Sequence, residues 1–294
     1  MAINPVPSPA SAAKGRVATT HRTIGELLAE AGKLTEHDIK RVLAFQRKKS
    51  LRFGEAARGL GLATDDDVQR ALAQQFNYNY IRRGESGMSP MLVSAYQPFS
   101  TAAESFRVLR SQLALRWFDH GHKTLAVGSP RGRTGCSMLA ANLAISFAQL
   151  GERTLLLDAN FRRPAQHHLF GISADVGLAD VLVGRCSVEK AVVTIAQLNG
   201  LSVLCTGPVP PNPHELLSSR ALHYLIDLAQ ECFDVVIFDT PAALDYADTQ
   251  MITARTGGYL LVSRRDVTRL VDVEATKARL APAGATMVGA VVND

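Results

Sequence analysis

Thr124-Leu-Ala-Val-Gly-Ser-Pro-Arg-Gly-Arg-Thr-Gly-Cys-Ser-Met-Leu-Ala-Ala-Asn142 is the stretch that decides the fold. The apolar run Leu125–Val127 predicts a short buried strand, the Gly/Ser/Pro turn a loop, and the alanine-rich stretch from Met138 a helix. A strand that enters a helix through such a turn aims backbone N–H groups and the helix N-terminus at one point, where a phosphate is held. The usual form of the loop is Gly-x-x-x-x-Gly-Lys-Ser/Thr. Here Pro130 takes the first glycine position and Cys136 the lysine position, so only Gly135 and Ser137 match. On its own the loop fits an ordinary strand-turn-helix connection equally well. The lysine normally sets a positive charge beside the β- and γ-phosphates. Its replacement predicts a nucleotide cradle that is kept while much of the catalytic power is lost.

Two further segments tip the balance toward nucleotide. Arg153–Pro164 reads Arg-Thr-Leu-Leu-Leu-Asp-Ala-Asn-Phe-Arg-Arg-Pro, a buried strand that delivers Asp158 and then a basic pair. Phe233–Pro241 reads Phe-Asp-Val-Val-Ile-Phe-Asp-Thr-Pro, a second buried strand that ends in Asp239. Continuous apolar runs with an aspartate at the carboxyl end suit a parallel sheet covered on both faces, with its ligand at that edge. The Ser137 hydroxyl and one or two of these carboxylates would then converge on a Mg²⁺ that bridges the phosphates.

Asp158-Ala-Asn-Phe-Arg-Arg-Pro164, Pro211-Asn-Pro-His-Glu-Leu-Leu217 and Asp239-Thr-Pro241, followed by Asp245 and Asp248, resemble the bacterial P-loop tyrosine kinases, in particular the exopolysaccharide chain-length-determinant kinases of the EpsG type. The resemblance runs from about Gln97 to the end. It implies ATP and Mg²⁺ as cofactors, with Ser137, Asp158 and Asp239 as metal ligands and Asp158, Asn160 and Asp239 as the catalytic set. Nucleotide would be held by Arg131, Gly132, Arg133, Thr134, Gly135, Cys136, Ser137 and Met138, with Asn293 near the purine. Glu104, Arg107 and Arg110 match the family's Glu-x-x-Arg-x-x-Arg motif, which packs relatives into rings. On a helix they share one stripe, where the alternative is a solvated face with a local ion pair. The implied partners are a membrane polysaccharide chain-length protein as activator and further copies of the chain. The implied place is the cytoplasm, recruited to the inner membrane face through that partner alone.

The departures from the family pattern matter as much. Arg133 stands where relatives have glycine, which restricts positive φ at the turn. The family's Asp-x-Asp is Asp158-Ala-Asn160, and an asparagine accepts a hydrogen bond but brings no charge for a metal and no base. The sequence ends Val291-Val-Asn-Asp294 without the tyrosine cluster of many relatives. Arg131 and Arg133 are the expected substitutes for the lysine, each able to clamp a phosphate in bidentate fashion. Cys136, at a helix N-terminus beside these arginines, is in a setting that lowers a thiol pKa and favours oxidation; the alternative is a neutral thiol tolerated in a decayed loop.

The N-terminal region repeats itself. Gly25, Glu26, Gly32, Thr35, Asp38, Leu43 and Gln46 align with Gly54, Glu55, Gly61, Thr64, Asp67, Leu72 and Gln75. Each copy reads as a short helix, a glycine stop, a threonine cap and a second helix. The tandem resembles the amino-terminal domain of MshE-type and type II secretion ATPases, whose paired motifs bind cyclic di-GMP. That resemblance implies Arg22, Gly25, Leu28, Gly32, Arg52, Gly54, Gly61 and Gln75 as ligand residues, although Thr23-Ile-Gly25 lacks the first motif's arginine. Through Phe76 the region holds 12 Lys and Arg against 8 Asp and Glu, +4 of the chain's +5, which suits an anionic dinucleotide. A helical docking module with a solvated basic spacer is the other reading.

Composition agrees with one small module and one sizeable domain. The 294 residues are 47% hydrophobic. The four cysteines show no metal or disulfide spacing, and no apolar run approaches the ~18 residues a membrane span needs. A pI near 9.1 with 6% aromatic residues and no basic-aromatic interleaving does not favour nucleic acid. His167-His168 reads as a surface turn. The expected organisation is a flexible tail (1–20), the tandem module (21–77), a linker (78–100) and a P-loop domain (101–294). Alternating strands near 124–128, 153–158, 201–206, 234–239, 258–263 and 287–292 and helices at 102–117, 138–150, 177–183, 214–231, 245–254 and 267–281 give an α/β, doubly wound, mostly parallel sheet. Three functions stay open: an ATP-dependent tyrosine kinase that regulates exopolysaccharide export, a non-enzymatic regulator that binds nucleotide, cyclic di-GMP or a partner, and a MinD/ParA-like ATPase, which would want a lysine at Arg131.

Overall fold

The computed structural model describes residues 22–75, 81 and 86–294. The expected tail at 1–20 lies outside them. The chain divides into two compact units, Met1–Tyr78 and Asn79–Asp294.

The first unit is four helices, α1 (Ile24–Glu30), α2 (Glu36–Lys49), α3 (Phe53–Gly59) and α4 (Asp65–Gln75). Threonine begins three of them for a local reason. The Thr23, Thr35 and Thr64 hydroxyls accept the N–H of Glu26, Asp38 and Asp67, whose carboxylates in turn accept the threonine N–H groups. Gly32 and Gly61 follow the first helix of each copy at φ +70° and +68°, the left-handed conformation that glycine adopts most cheaply. The copies then exchange partners, because α1 packs on α4 and α2 on α3. Neither copy buries its apolar face alone. Leu27, Leu28, Leu34 and Ala71 close one cluster, and Val42, Ala56 and Ala57 the other.

The second unit is a seven-stranded sheet in the order β3-β4-β2-β5-β1-β6-β7. The strands are β1 (Thr124–Gly128), β2 (Thr154–Asp158), β3 (Val193–Thr194), β4 (Leu201–Leu204), β5 (Val235–Asp239), β6 (Gly258–Arg264) and β7 (Thr286–Asn293). All pairings are parallel except the short edge strand β3, which runs antiparallel to β4. The doubly wound α/β expectation is therefore met. β1, β2, β4 and β5 are buried along their whole length, which is why they read as unbroken apolar runs. Helices cover both faces, with one core cluster around Leu125, Leu143 and Ile237 and the other around Leu155, Phe238 and Tyr259.

Three expectations are corrected. The helix expected at 214–231 is two, Pro213–Leu217 and Arg220–Cys232, because Ser219 takes an extended backbone (ψ 159°) between them. The edge strand β3 and the short helices Gln166–Phe170 and Val188–Ala191 were not expected; each is too short to carry a period. The described part of the expected linker is no free connection. Its helix α5 (Val93–Tyr96) is buried, and Asn142 on the helix that follows β1 holds it at both edges, accepting the Ser94 N–H at 2.9 Å and donating to Met91 O at 3.0 Å. The next helix, α6 (Thr101–Arg116), carries the Glu104 motif.

Candidate nucleotide site

β1 leads through Ser129–Gly135 into α7 (Cys136–Ala148), and β2 and β5 end beside it. Register pairs Asp158 with Asp239 and Val127 with Asp239, so both aspartates stand at the carboxyl edge next to the loop. Arg133 (φ +67°) and Gly135 (φ +78°) both adopt the left-handed conformation. The restriction expected at Arg133 does not alter the turn, although a side chain there costs about 1–2 kcal/mol. Among the described residues no acceptor within the chain meets the backbone N–H groups of Gly132 to Met138. They form an open row of donors at a helix N-terminus, on a cleft of about 680 Å³ that also takes in Arg163 and Tyr246.

The carboxylates lie beneath this row, fully buried. Asp158 Oδ2 accepts the N–H of Ala165 and of Gln166 at 2.9 Å each, and Oδ1 accepts that of Asn160 at 3.2 Å. Burial nevertheless holds its pKa above the usual carboxylate range. Asp239 is also pushed up, by burial first and by the neighbouring Asp158 charge second, against hydrogen bonds from Ser137, Gln166 and Cys136. Gln166 Nε2 reaches Asp239 Oδ2 at 2.8 Å and Ser137 O at 3.1 Å, so one buried amide ties loop and strand together. No sequence pattern marked this glutamine. Its place follows only from the turn that brings it back under the sheet edge.

Cys136 had two readings, a thiolate and a neutral thiol. Its Sγ lies 3.9 Å from Asp239 Oδ1, and burial, then the Asp239 charge, drives the thiol pKa well above normal. Burial and this carboxylate, 103 residues away in sequence, favour the neutral thiol over the thiolate. Arg131 corrects an expectation. It is drawn off to Asp245 at 3.1 Å and Asp272 at 3.2 Å, away from the loop's donors. Asn293, expected at the purine, donates Nδ2 to Thr134 O at 2.9 Å; a Cβ on Gly135 would come within 2.5 Å of that nitrogen. Asn160 Oδ1 accepts the Arg163 N–H at 3.1 Å. Arg162 pairs with the buried Asp248 at 2.8 Å and lies over the Tyr246 ring.

The donor set suits Mg²⁺ bound together with phosphates. The Ser137 hydroxyl and the Asp239 carboxylate are neighbours at the loop's end, close enough for the hydroxyl to lower the carboxyl pKa, and Mg²⁺ takes few protein oxygens beside phosphate and water. Asp158 has both oxygens engaged by backbone N–H groups and shapes the 158–166 turn. Among the described residues no three His, Cys, Asp or Glu side chains gather into a metal cage, His167 and His168 included.

The other expected sites fall elsewhere. Glu104 pairs with Arg107 on its own helix (2.8 Å to Nε), Arg107 also donates to Pro98 O, and Arg110 donates to Ser146 O at 2.8 Å. In the first unit a Cβ on Gly25 would meet the Phe53 ring at 3.1 Å, and one on Gly54 would meet Val68 Cγ1 at 2.5 Å. Leu28 is buried, Arg22 pairs with Glu30 at 2.8 Å, exposed Arg52 opens α3, and Gln75 closes α4. Most of the residues expected on cyclic di-GMP thus have packing or capping roles.

A parallel sheet with a glycine-turn donor row and two aspartates at its carboxyl edge is the P-loop NTPase fold. No family model matches the chain. It is 36% identical over 208 residues to the tyrosine-protein kinase YwqD of Bacillus subtilis, a match that covers 71% of this chain and 87% of that protein. The kinase domain of Escherichia coli tyrosine kinase ETK superposes with a TM-score of 0.68 at 29% identity over 72% of this chain and 82% of that one. The septum site-determining protein MinD of Pyrococcus horikoshii, solved with Mg-ADP, shares the fold at a TM-score of 0.52 and 22% identity over 58% of this chain and 70% of that one. The chain belongs to the bacterial tyrosine-protein kinase family.

Proposed function

We propose that this chain binds Mg-ATP at the β1–α7 loop and regulates exopolysaccharide chain length and export as a tyrosine kinase with impaired phosphotransfer. The observation that carries this reading is the pairing of an intact row of open N–H donors with an uncharged Cys136 side chain, set against Asp239, at the position of the lysine. Backbone donors hold phosphate in the ground state. A charge that follows the moving phosphoryl group acts in the transition state, and that is the part removed. Ser137 and Asp239 would hold Mg²⁺, which neutralises charge on the phosphates when bound. Burial and the neighbouring Asp158 charge push the Asp239 pKa up, and a bound cation would favour its ionised form.

Relatives carry capsule and exopolysaccharide roles by family, and a membrane chain-length protein is the partner that fits this chain as activator. It would bring the chain to the cytoplasmic face of the membrane; among the described residues no helix is long and apolar enough to cross one. Assembly into rings would require Glu104, Arg107 and Arg110 to trade their contacts within the chain for contacts with a neighbour. For the first unit we favour a docking role over cyclic di-GMP binding, because Gly25, Gly54 and Leu28 are used in packing. Arg131, spent on Asp245 and Asp272, gives no support to a MinD/ParA-like ATPase.

The test is phosphotyrosine formed from Mg-ATP by the purified chain and by its Cys136→Lys variant. The variant is expected to be faster by about 10²-fold or more. Equal rates would show that the missing ammonium does not limit the reaction.

A further inference from the structure

Among the described residues four arginines, Arg131, Arg133, Arg162 and Arg163, stand in or beside the loop, and the structure divides them into two pairs. Arg131 is held by Asp245 and Asp272, and Arg162 by the buried Asp248. Arg133 and Arg163 have no acidic partner among the described residues, and both line the cleft. Arg133 belongs to the loop itself, whereas Arg163 reaches it from a separate turn: its Nη1 lies 3.6 Å from the position a Cβ on Gly132 would occupy.

Its presentation is built in. The Arg163 N–H donates to Asn160 O and to Asn160 Oδ1, both at 3.1 Å, so Asn160 closes the turn that carries Arg163 to the cleft. A carboxylate at 160 would close the same turn. It would also set a full negative charge on the turn that carries the guanidinium, where it would compete with a phosphate for that cation. The neutral amide keeps the acceptor and omits the charge. Cys136 and Asn160 therefore belong together: one removes a positive charge from the loop, and the other leaves a neighbouring positive charge unneutralised.

We propose that Arg163, presented by the Asn160 turn, binds the terminal phosphate of a nucleoside triphosphate in place of the absent loop lysine. This rests on the nucleotide reading above and names the residue on which that reading depends for charge. A guanidinium offers a planar, bidentate grip on a phosphate, which holds the ground state well. It is anchored outside the loop on a separate turn. Binding strength and phosphotransfer are thus separated in this chain.

The experiment is calorimetric titration of the full chain with Mg-ATP and Mg-ADP, with circular dichroism as a check on folding. Arg163→Gln is expected to weaken Mg-ATP by about tenfold or more and Mg-ADP by less, since a charged hydrogen bond to the last phosphate is lost. Asn160→Asp is expected to shift Mg-ATP in the same direction by a few-fold. Cys136→Lys in the Arg163→Gln background is expected to restore it. Arg153→Gln, which breaks a pair with Asp234 at the opposite edge of the sheet, is expected to bind as the wild type does. The proposal is overturned if the wild type binds and Arg163→Gln binds equally well, if ATP and ADP lose equally, or if Arg133→Gln alone carries the loss. No binding by either the wild type or Cys136→Lys would overturn the nucleotide reading itself, and this proposal with it.

Discussion

In the N-terminal unit the acidic side chains Glu26, Asp38 and Asp67 sit at helix starts and accept hydrogen bonds from threonines; in the α/β unit Asp158 and Asp239 lie fully buried at a sheet edge. Backbone and hydroxyl donors of Thr23 and Thr35 hold Glu26 and Asp38 below the usual carboxylate range. Burial alone would raise Asp67, but the Thr64 hydrogen bonds and Lys33 outweigh it and the net direction is also down. In the α/β unit burial dominates, and both aspartates go up. The same chemical group is a fold-stabilising cap in one unit and a buried carboxyl held toward its protonated form in the other. The first kind stabilises above the ordinary carboxylate pKa and loses that contribution as pH falls through the depressed folded value. The second stabilises in its protonated form and loses ground as pH rises from the ordinary value toward the raised one.

This contrast can be broken experimentally, and the largest effect belongs to packing. Gly54→Ala drives a methyl group into Val68 and is expected to destabilise the N-terminal unit by about 1–3 kcal/mol, read by hydrogen exchange across residues 24–75, with nucleotide binding unchanged. Next comes Asp239→Asn. It should raise the ligand-free melting temperature at pH 8 and do little at pH 4, where the raised pKa leaves the carboxyl neutral. A stabilisation that grew toward acid would reverse the assigned direction. Thr64→Ala should cost about 1 kcal/mol at neutral pH, less as Asp67 becomes protonated, in denaturant titrations at several pH values. Smallest is Arg133→Gly, which relieves the left-handed φ while adding unfolded-state entropy, for a net gain of about 0.5 kcal/mol.

The sheet was legible because its central strands are buried on both faces and read as unbroken apolar runs closed by aspartate. The helix starts of the N-terminal unit were legible because threonine and an acid three residues on satisfy each other locally. What local sequence hid was set by distant partners. Arg131 looked like a phosphate ligand until Asp245 and Asp272, 114 and 141 residues away, claimed it. Cys136 could be read as a thiolate or a neutral thiol, and burial with Asp239 beside it favours the second. Arg163 was visible only as half of a basic pair, and its freedom from acids is a property of the folded surroundings. The repeat's glycines were visible as a pattern, and Gly32 and Gly61 as helix stops, but the close approach of the Phe53 ring to Gly25 from the other copy is not written in either copy.

The claim that a triphosphate is held by the loop's backbone is tested most directly by calorimetric titration of Mg-ATP into the wild type and into Gly135→Val. The valine would meet Asn293 and is strained at φ +78°, so it closes the donor row. Saturable binding by the wild type that disappears in the variant is the expected result. Binding that survives the valine, with the protein still folded, would place the nucleotide elsewhere and contradict the account.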